Sequence, residues 1–179
     1  MRLLLWYTRL VDAINDGFAW IAQWAVIASC FISAGNAAIR YSFSYSSNAW
    51  LEIQWYLFAA CVMCGAAQVL RLNEHVRVDV FYGRLSGRAK VWVDLFGLVF
   101  FLVPVMVVML IYSVPMFIQF FNSGEMSGNA GGLIRWPAVL TLPLGFGLVL
   151  LQGSAEIIKR VLWLMNRYEM NTHYERPLQ

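Results

Sequence analysis

Few residues in this chain are of types that do chemistry, and their spacing excludes most of it. The histidines are His75 and His173. Neither lies inside an apolar run, so a haem held between two facing histidines in a membrane is excluded. The cysteines are Cys30, Cys61 and Cys64. Cys61-x-x-Cys64 has the spacing of a redox pair, but such a pair needs an exposed helix N-terminus to lower its thiol pKa. Here it sits within an apolar run and reads as small-residue packing. No Cys/His cluster has zinc spacing, and no Ser-His-acid set can be assembled. Glu52 begins one apolar run while Glu74 and Asp79 follow its end, which rules out a paired-carboxylate site. The expectation is a chain that is not an enzyme, with no catalytic residue, no metal site and no cofactor of its own.

The composition says what positions these groups. The chain has 179 residues, of which 60% are hydrophobic and 13% charged, with a mean hydropathy of +0.61. Soluble domains carry about 25% charged residues. The deficit indicates a bilayer rather than a large aqueous core. Eight Trp, eight Tyr and twelve Phe suit interfacial aromatic belts. The fold class expected is an all-α integral membrane protein, with four transmembrane helices plus a short N-terminal interfacial amphipathic helix.

Residues 1–16 repeat Leu3, Trp6, Leu10 and Ile14 at helical spacing, with Arg9, Asp12 and Asp16 off that stripe. This predicts the interfacial helix. A four-helix membrane domain follows over 17–160, with spans at about 18–39, 50–70, 91–121 and 137–158. Gln23, Ser29, Ser33 and Asn36 interrupt the first span, where such groups face another helix. The third run exceeds one bilayer crossing, and Pro104 and Pro115 should kink it or end its regular part. Asp94 lies close to its start, where a charge costs far less than at the bilayer centre. Asp79 is placed to cap a short helix over 80–85, and Ser86 to cap the third span. Residues 122–136 form a glycine-rich loop, read either as a flexible connector or as a docking surface outside the membrane. Pro137 suits the first turn of the fourth span, and Gly145, Gly147 and Gly153 admit a close neighbour. Residues 161–179 form a polar tail.

Charge sets the orientation. Four spans place both termini and the 71–90 connection on one side. Eleven of the 13 Lys and Arg residues fall there, and only Arg40 and Arg135 fall on the other. The positive-inside rule then puts both termini in the cytoplasm. The same distribution accounts for the net charge of +3 without a nucleic-acid partner.

From Glu52 to Asp79 the chain resembles the small permease subunit of tripartite ATP-independent periplasmic (TRAP) transporters. The resemblance rests on Glu52, on Trp55 and Tyr56, and on the small-residue run Ala59, Ala60, Gly65, Ala66 and Ala67. Arg71 and the sequence Glu74-His75-Val76-Arg77-Val78-Asp79 complete it. The loop at Gly124-Glu125-Met126-Ser127 and the four-span layout extend it over most of the chain. Many relatives have glycine where this chain has Asn73, the residue type that best tolerates a left-handed helix end.

The resemblance implies a bacterial inner-membrane importer, secondary-active and sodium-coupled, whose solute is usually a carboxylate. Its partners would be a large transmembrane permease subunit, which holds the sodium and solute sites, and a periplasmic substrate-binding protein. Membrane lipids would contact it too, and this subunit would be a stationary scaffold. Trp55, Tyr56, Ala59, Ala60 and Gly65 would form the partner-subunit interface. Arg71, Asn73, Glu74, His75, Arg77 and Asp79 would fix the cytoplasmic turn, with His75 as a pH sensor the competing role. Glu52, Glu125 and Arg135 would touch the binding protein, while for Glu52 the alternative is a bond within the subunit, such as one to Arg40. The alternative functions are a membrane anchor for a redox complex and a self-sufficient small transporter.

Overall fold

A computed structural model describes residues 1–45, 47–73 and 85–169. Four long helices dominate it: α1 (Arg2–Phe43), α2 (Asn48–Leu72), α3 (Gly87–Ser123) and α4 (Trp136–Leu164). Each is long and apolar enough to cross a membrane, so the chain is an all-α membrane protein of four spans, as its hydropathy predicts. α4 packs against the other three helices, and α1 also packs along α2. α3 makes its main contacts on α4 alone, which leaves most of its apolar surface outward.

The first helix differs from the sequence reading. Residues 1–16 are not a separate interfacial helix, because α1 runs unbroken from Arg2 to Phe43. A glycine in mid-helix costs only about 1 kcal/mol, and Gly17 is flanked by residues held in place on both sides. Asp12 and Asn15 bond to α4, and Asp16 to α2. Ala19, Ala22 and Ala25 are buried beyond it. The stripe of Leu3, Trp6, Leu10 and Ile14 faces outward, with Trp6 63% exposed.

The third helix answers its first proline by changing pitch. Leu98–Leu102 forms a π-turn, in which the Val103 N–H reaches back to the Leu98 carbonyl. The wider turn precedes Pro104, which has no N–H to give and whose ring would press on the carbonyl four residues earlier. The helix therefore continues through both Pro104 and Pro115 to Ser123 instead of ending. The caps follow the sequence more closely. Ser86 Oγ accepts the Ala89 N–H at 3.4 Å, and Asn73 ends α2 at φ 62.

Glycine sets the α2–α4 distance. A Cβ on Gly145 would lie 2.6 Å from the Met63 Cβ and 2.8 Å from its carbonyl oxygen. No side chain fits there, because backbone atoms cannot move aside as a flexible tip can. On α3's side, a Cβ on Gly153 would meet Leu102 Cδ2 at 2.6 Å. Gly147 meets no atom within 4 Å, so two of the three glycines are close-approach points.

Candidate functional site: two polar clusters at opposite ends of the bundle

The first cluster joins all four helices at the end that carries the termini. α4 supplies Gln152, Glu156, Lys159 and Arg160, at positions that share one helix face. All four are buried, and Gln152 is fully enclosed. Lys159 Nζ donates to Asp12 Oδ1 at 2.8 Å and to Glu156 Oε1 at 2.9 Å. Arg160 bonds to Glu156 Oε2 at 2.5 Å and to Asp94 Oδ2 at 3.2 Å. Gln152 Nε2 donates to Asp12 Oδ1 and Glu156 Oε1, while its Oε1 accepts from Asn15 Nδ2 at 2.6 Å. Arg71, in the last turn of α2, donates to the Asp12 carbonyl at 3.1 Å and to the Asp16 carboxylate. Tyr7 and Ser154 hydroxyls lie 2.7 Å apart.

This cluster can hold helices in register, and it has the marks of doing so. A buried ion must be paired and hydrogen-bonded, because removing one partner strands a charge in low dielectric. Here every buried cation reaches two carboxylates, and Asp94 of the otherwise peripheral α3 is drawn in by Arg160.

The second cluster lies at the far end and is built on Glu52. Although only one turn into α2, Glu52 is 3% exposed. Its Oε1 accepts from Ser127 Oγ and from Asn129 Nδ2 at 2.8 Å, and its Oε2 accepts the Leu133 N–H at 2.6 Å. These donors belong to a small folded hairpin. Ser127 N–H bonds to the Leu133 carbonyl at 2.9 Å, Arg135 N–H bonds to the Glu125 carbonyl at 3.0 Å, and Met126 pairs with Ile134. Gly131 takes φ 71 at the tip. Gly132 must lack a side chain, because a Cβ there would meet Ser127 Cβ at 2.6 Å. Asn48 Nδ2 and Tyr56 OH add bonds to the Ala130 and Ile134 carbonyls. Of the two readings of residues 122–136, a flexible connector does not describe this segment.

The predicted site residues thus separate. Glu52 is an internal clasp, 3% exposed, whose partners are in the loop rather than at Arg40. Glu125 and Arg135 form a half-exposed ion pair at 2.7 Å on the loop's outer side. Trp55 is 66% exposed, whereas Tyr56 bonds to the loop and Gly65 faces α1, where a Cβ on it would meet the Ala22 Cβ at 3.7 Å. Those two are used within the chain. Ala59 and Ala60 are half-buried. Arg71 and Asn73 are placed as above, while Glu74, His75, Arg77, Asp79 and the short helix over 80–85 lie outside the described residues, Leu85 apart. Among the described residues, no group of three or more His, Cys, Asp and Glu could hold a metal ion.

Sequence reasoning missed Asp12, Asn15, Asp16, Gln152, Glu156, Lys159 and Arg160 as a set. The signal is present: Gln152, Glu156 and Lys159–Arg160 recur at helical spacing, as do Asp12 and Asn15–Asp16. The same spacing also fits a polar face turned to solvent.

A family model described as "Tripartite ATP-independent periplasmic transporters, DctQ component" matches residues 29–162. No curated protein and no solved structure matches the chain.

Proposed function

We infer a role from one premise: this chain belongs to the family of DctQ components of tripartite ATP-independent periplasmic transporters. It is a transport component, the small permease subunit, whose family works with a large permease subunit and a binding protein. We propose that its task is to be a fixed scaffold for the large subunit. On this reading the large subunit carries the sodium and solute sites, the solute is a carboxylate, and this chain binds no cofactor and performs no catalysis. The complex sits in the inner membrane with both termini cytoplasmic, which the eleven-to-two division of cations favours. Lipids cover its remaining apolar surface, and nucleic acid has no part.

The observation that supports the scaffold is that the buried charges are closed on one another. A transport site gathers polar groups and broken helices near the midplane. Here the ionic groups form two clusters that close on themselves, and each cluster cross-links helices. Glu125 and Arg135, exposed on the ordered loop, are the groups left to meet the binding protein.

Cells that keep the large subunit and the binding protein but lack this chain should lose solute uptake, and the chain should co-purify with the large subunit. Uptake at full rate without it would sink the scaffold reading. Flux through the purified chain alone in liposomes would favour a self-sufficient transporter instead.

A further inference from the structure

The charged cluster at the termini end looks, from hydropathy, like the edge of the membrane. The structure places large apolar side chains beyond it. Trp6 and Trp92 are 63% and 60% exposed, and each precedes its helix's part of the cluster. Trp163 follows the cluster in α4.

These three tryptophans share a second feature. An exposed arginine stands four residues further out from each: Arg2 beyond Trp6, Arg88 beyond Trp92, and Arg167 beyond Trp163. The Arg167 guanidinium lies 3.9 Å from Met1 Sδ, so the α1 and α4 ends meet. Tryptophan is enriched where headgroups meet hydrocarbon, and the planar guanidinium of arginine matches phosphate oxygens in pairs.

The opposite end supplies the ruler. Phe121 of α3 meets Trp136 of α4 edge-on, with ring centroids 5.5 Å apart. Trp136 and Trp163 stand at the two ends of α4, about 40 Å apart at a rise of about 1.5 Å per residue. A bilayer with its interfacial layers measures about 40–45 Å, around a hydrocarbon core of about 30 Å. If the two tryptophans sit within the interfacial layers of the two leaflets, hydrocarbon begins about 5 Å inside Trp163, near Arg160. Lys159, Glu156 and Gln152 then lie deeper than that boundary. In α1, Asp12 and Asp16 lie about 9 and 15 Å inside Trp6 by the same rise.

We propose that Trp6, Trp92 and Trp163, each with its outer arginine, form a girdle seated among phospholipid headgroups, with the arginines on the phosphates. The cluster of Asp12, Asp16, Arg71, Asp94, Glu156, Lys159 and Arg160 is then an intramembrane network, shielded from lipid by the apolar outer faces of its own helices. The outward stripe of α1 from Trp6 to Ile14 is covered by lipid. This placement does not depend on the scaffold reading.

Spin labels test it in the full transporter reconstituted into vesicles, with the native cysteines replaced by alanine. Single labels go on Ile14 and Val93, two outward positions level with the network (38% and 49% exposed). A third goes on Asn129 as a loop reference. The proposal predicts that Ile14→Cys and Val93→Cys labels collide with dissolved oxygen and lose accessibility to a water-soluble nickel chelate, whereas the Asn129→Cys label meets the chelate freely. Chelate access at Ile14 or Val93 equal to that at Asn129 would put the network in water and overturn the proposal. Labels screened from both reagents would also overturn it, by showing a protein rather than lipid on that face.

Discussion

Lys159→Met should destabilise the bundle by about 3–5 kcal/mol, the usual cost of breaking a buried ion pair by removing one partner. Methionine keeps the length and the apolar stem. It removes the cation that joins Asp12 to Glu156, at 2.8 and 2.9 Å. The buried Glu156 and the half-buried Asp12 would be left with one cation fewer, and Gln152 cannot replace the lost charge. In a helical chain of this size the loss corresponds to a fall in melting midpoint on the order of 10 °C. Thermal unfolding of the purified subunit, followed by far-ultraviolet circular dichroism, reads it directly. The double variant Lys159→Met with Asp12→Asn should regain a large part of the loss, because it removes the stranded charge as well. A single variant as stable as the parent would mean that the network braces nothing.

Glu52→Ala should abolish the order of the loop at the other end. Three donors from residues 127–133 converge on this one carboxylate, and without it Leu133 N–H and the Asn129 amide lose their acceptor. Hydrogen exchange is the measure: protection across residues 125–135 should disappear in the variant while that of α2 and α4 persists. Glu52→Gln should fail nearly as badly. Its volume is right, but its NH₂ group would face donors where an acceptor is needed. A Gln variant with full loop protection would show that packing, not the carboxylate, orders the segment. If Glu125 and Arg135 meet the binding protein, Glu52→Ala should also depress binding-protein-dependent uptake by disordering the loop that carries them.

The two variants mark how far the sequence could be read. The four spans were legible because a run of about twenty apolar residues is the length a bilayer crossing demands, and a soluble core rarely needs it. Ser86 and Asn73 were legible because capping chemistry is local. The direction faced by the polar residues was not. In a soluble helix the polar face looks outward, but in a membrane bundle lipid takes the apolar face and the polar one turns in. Lys159, Glu156 and Asp12 carry the same helical spacing in either case, so periodicity alone could not choose. The continuity of α1 across Gly17 follows from that same inward bonding. Glu52 was hidden for another reason: its partners lie some 75 or more residues away in sequence, beyond any local pattern. At Pro104 the disturbance was legible and its form was not, since a π-turn keeps the backbone bonded where a break would expose it to lipid.

The central claim is that this subunit keeps one conformation while its partner works, and a cross-link tests it most directly. Gly65 and Ala22 face each other across the α1–α2 seam: a Cβ on Gly65 would lie 3.7 Å from the Ala22 Cβ, inside the range of about 3.5–4.5 Å that a disulfide spans. With the three native cysteines replaced, the pair Ala22→Cys and Gly65→Cys should oxidise readily in the assembled transporter. Solute uptake should then be the same with the disulfide closed as after its reduction. Uptake that stops on oxidation and returns on reduction would contradict the account, because it would show that these helices must move apart for solute to cross.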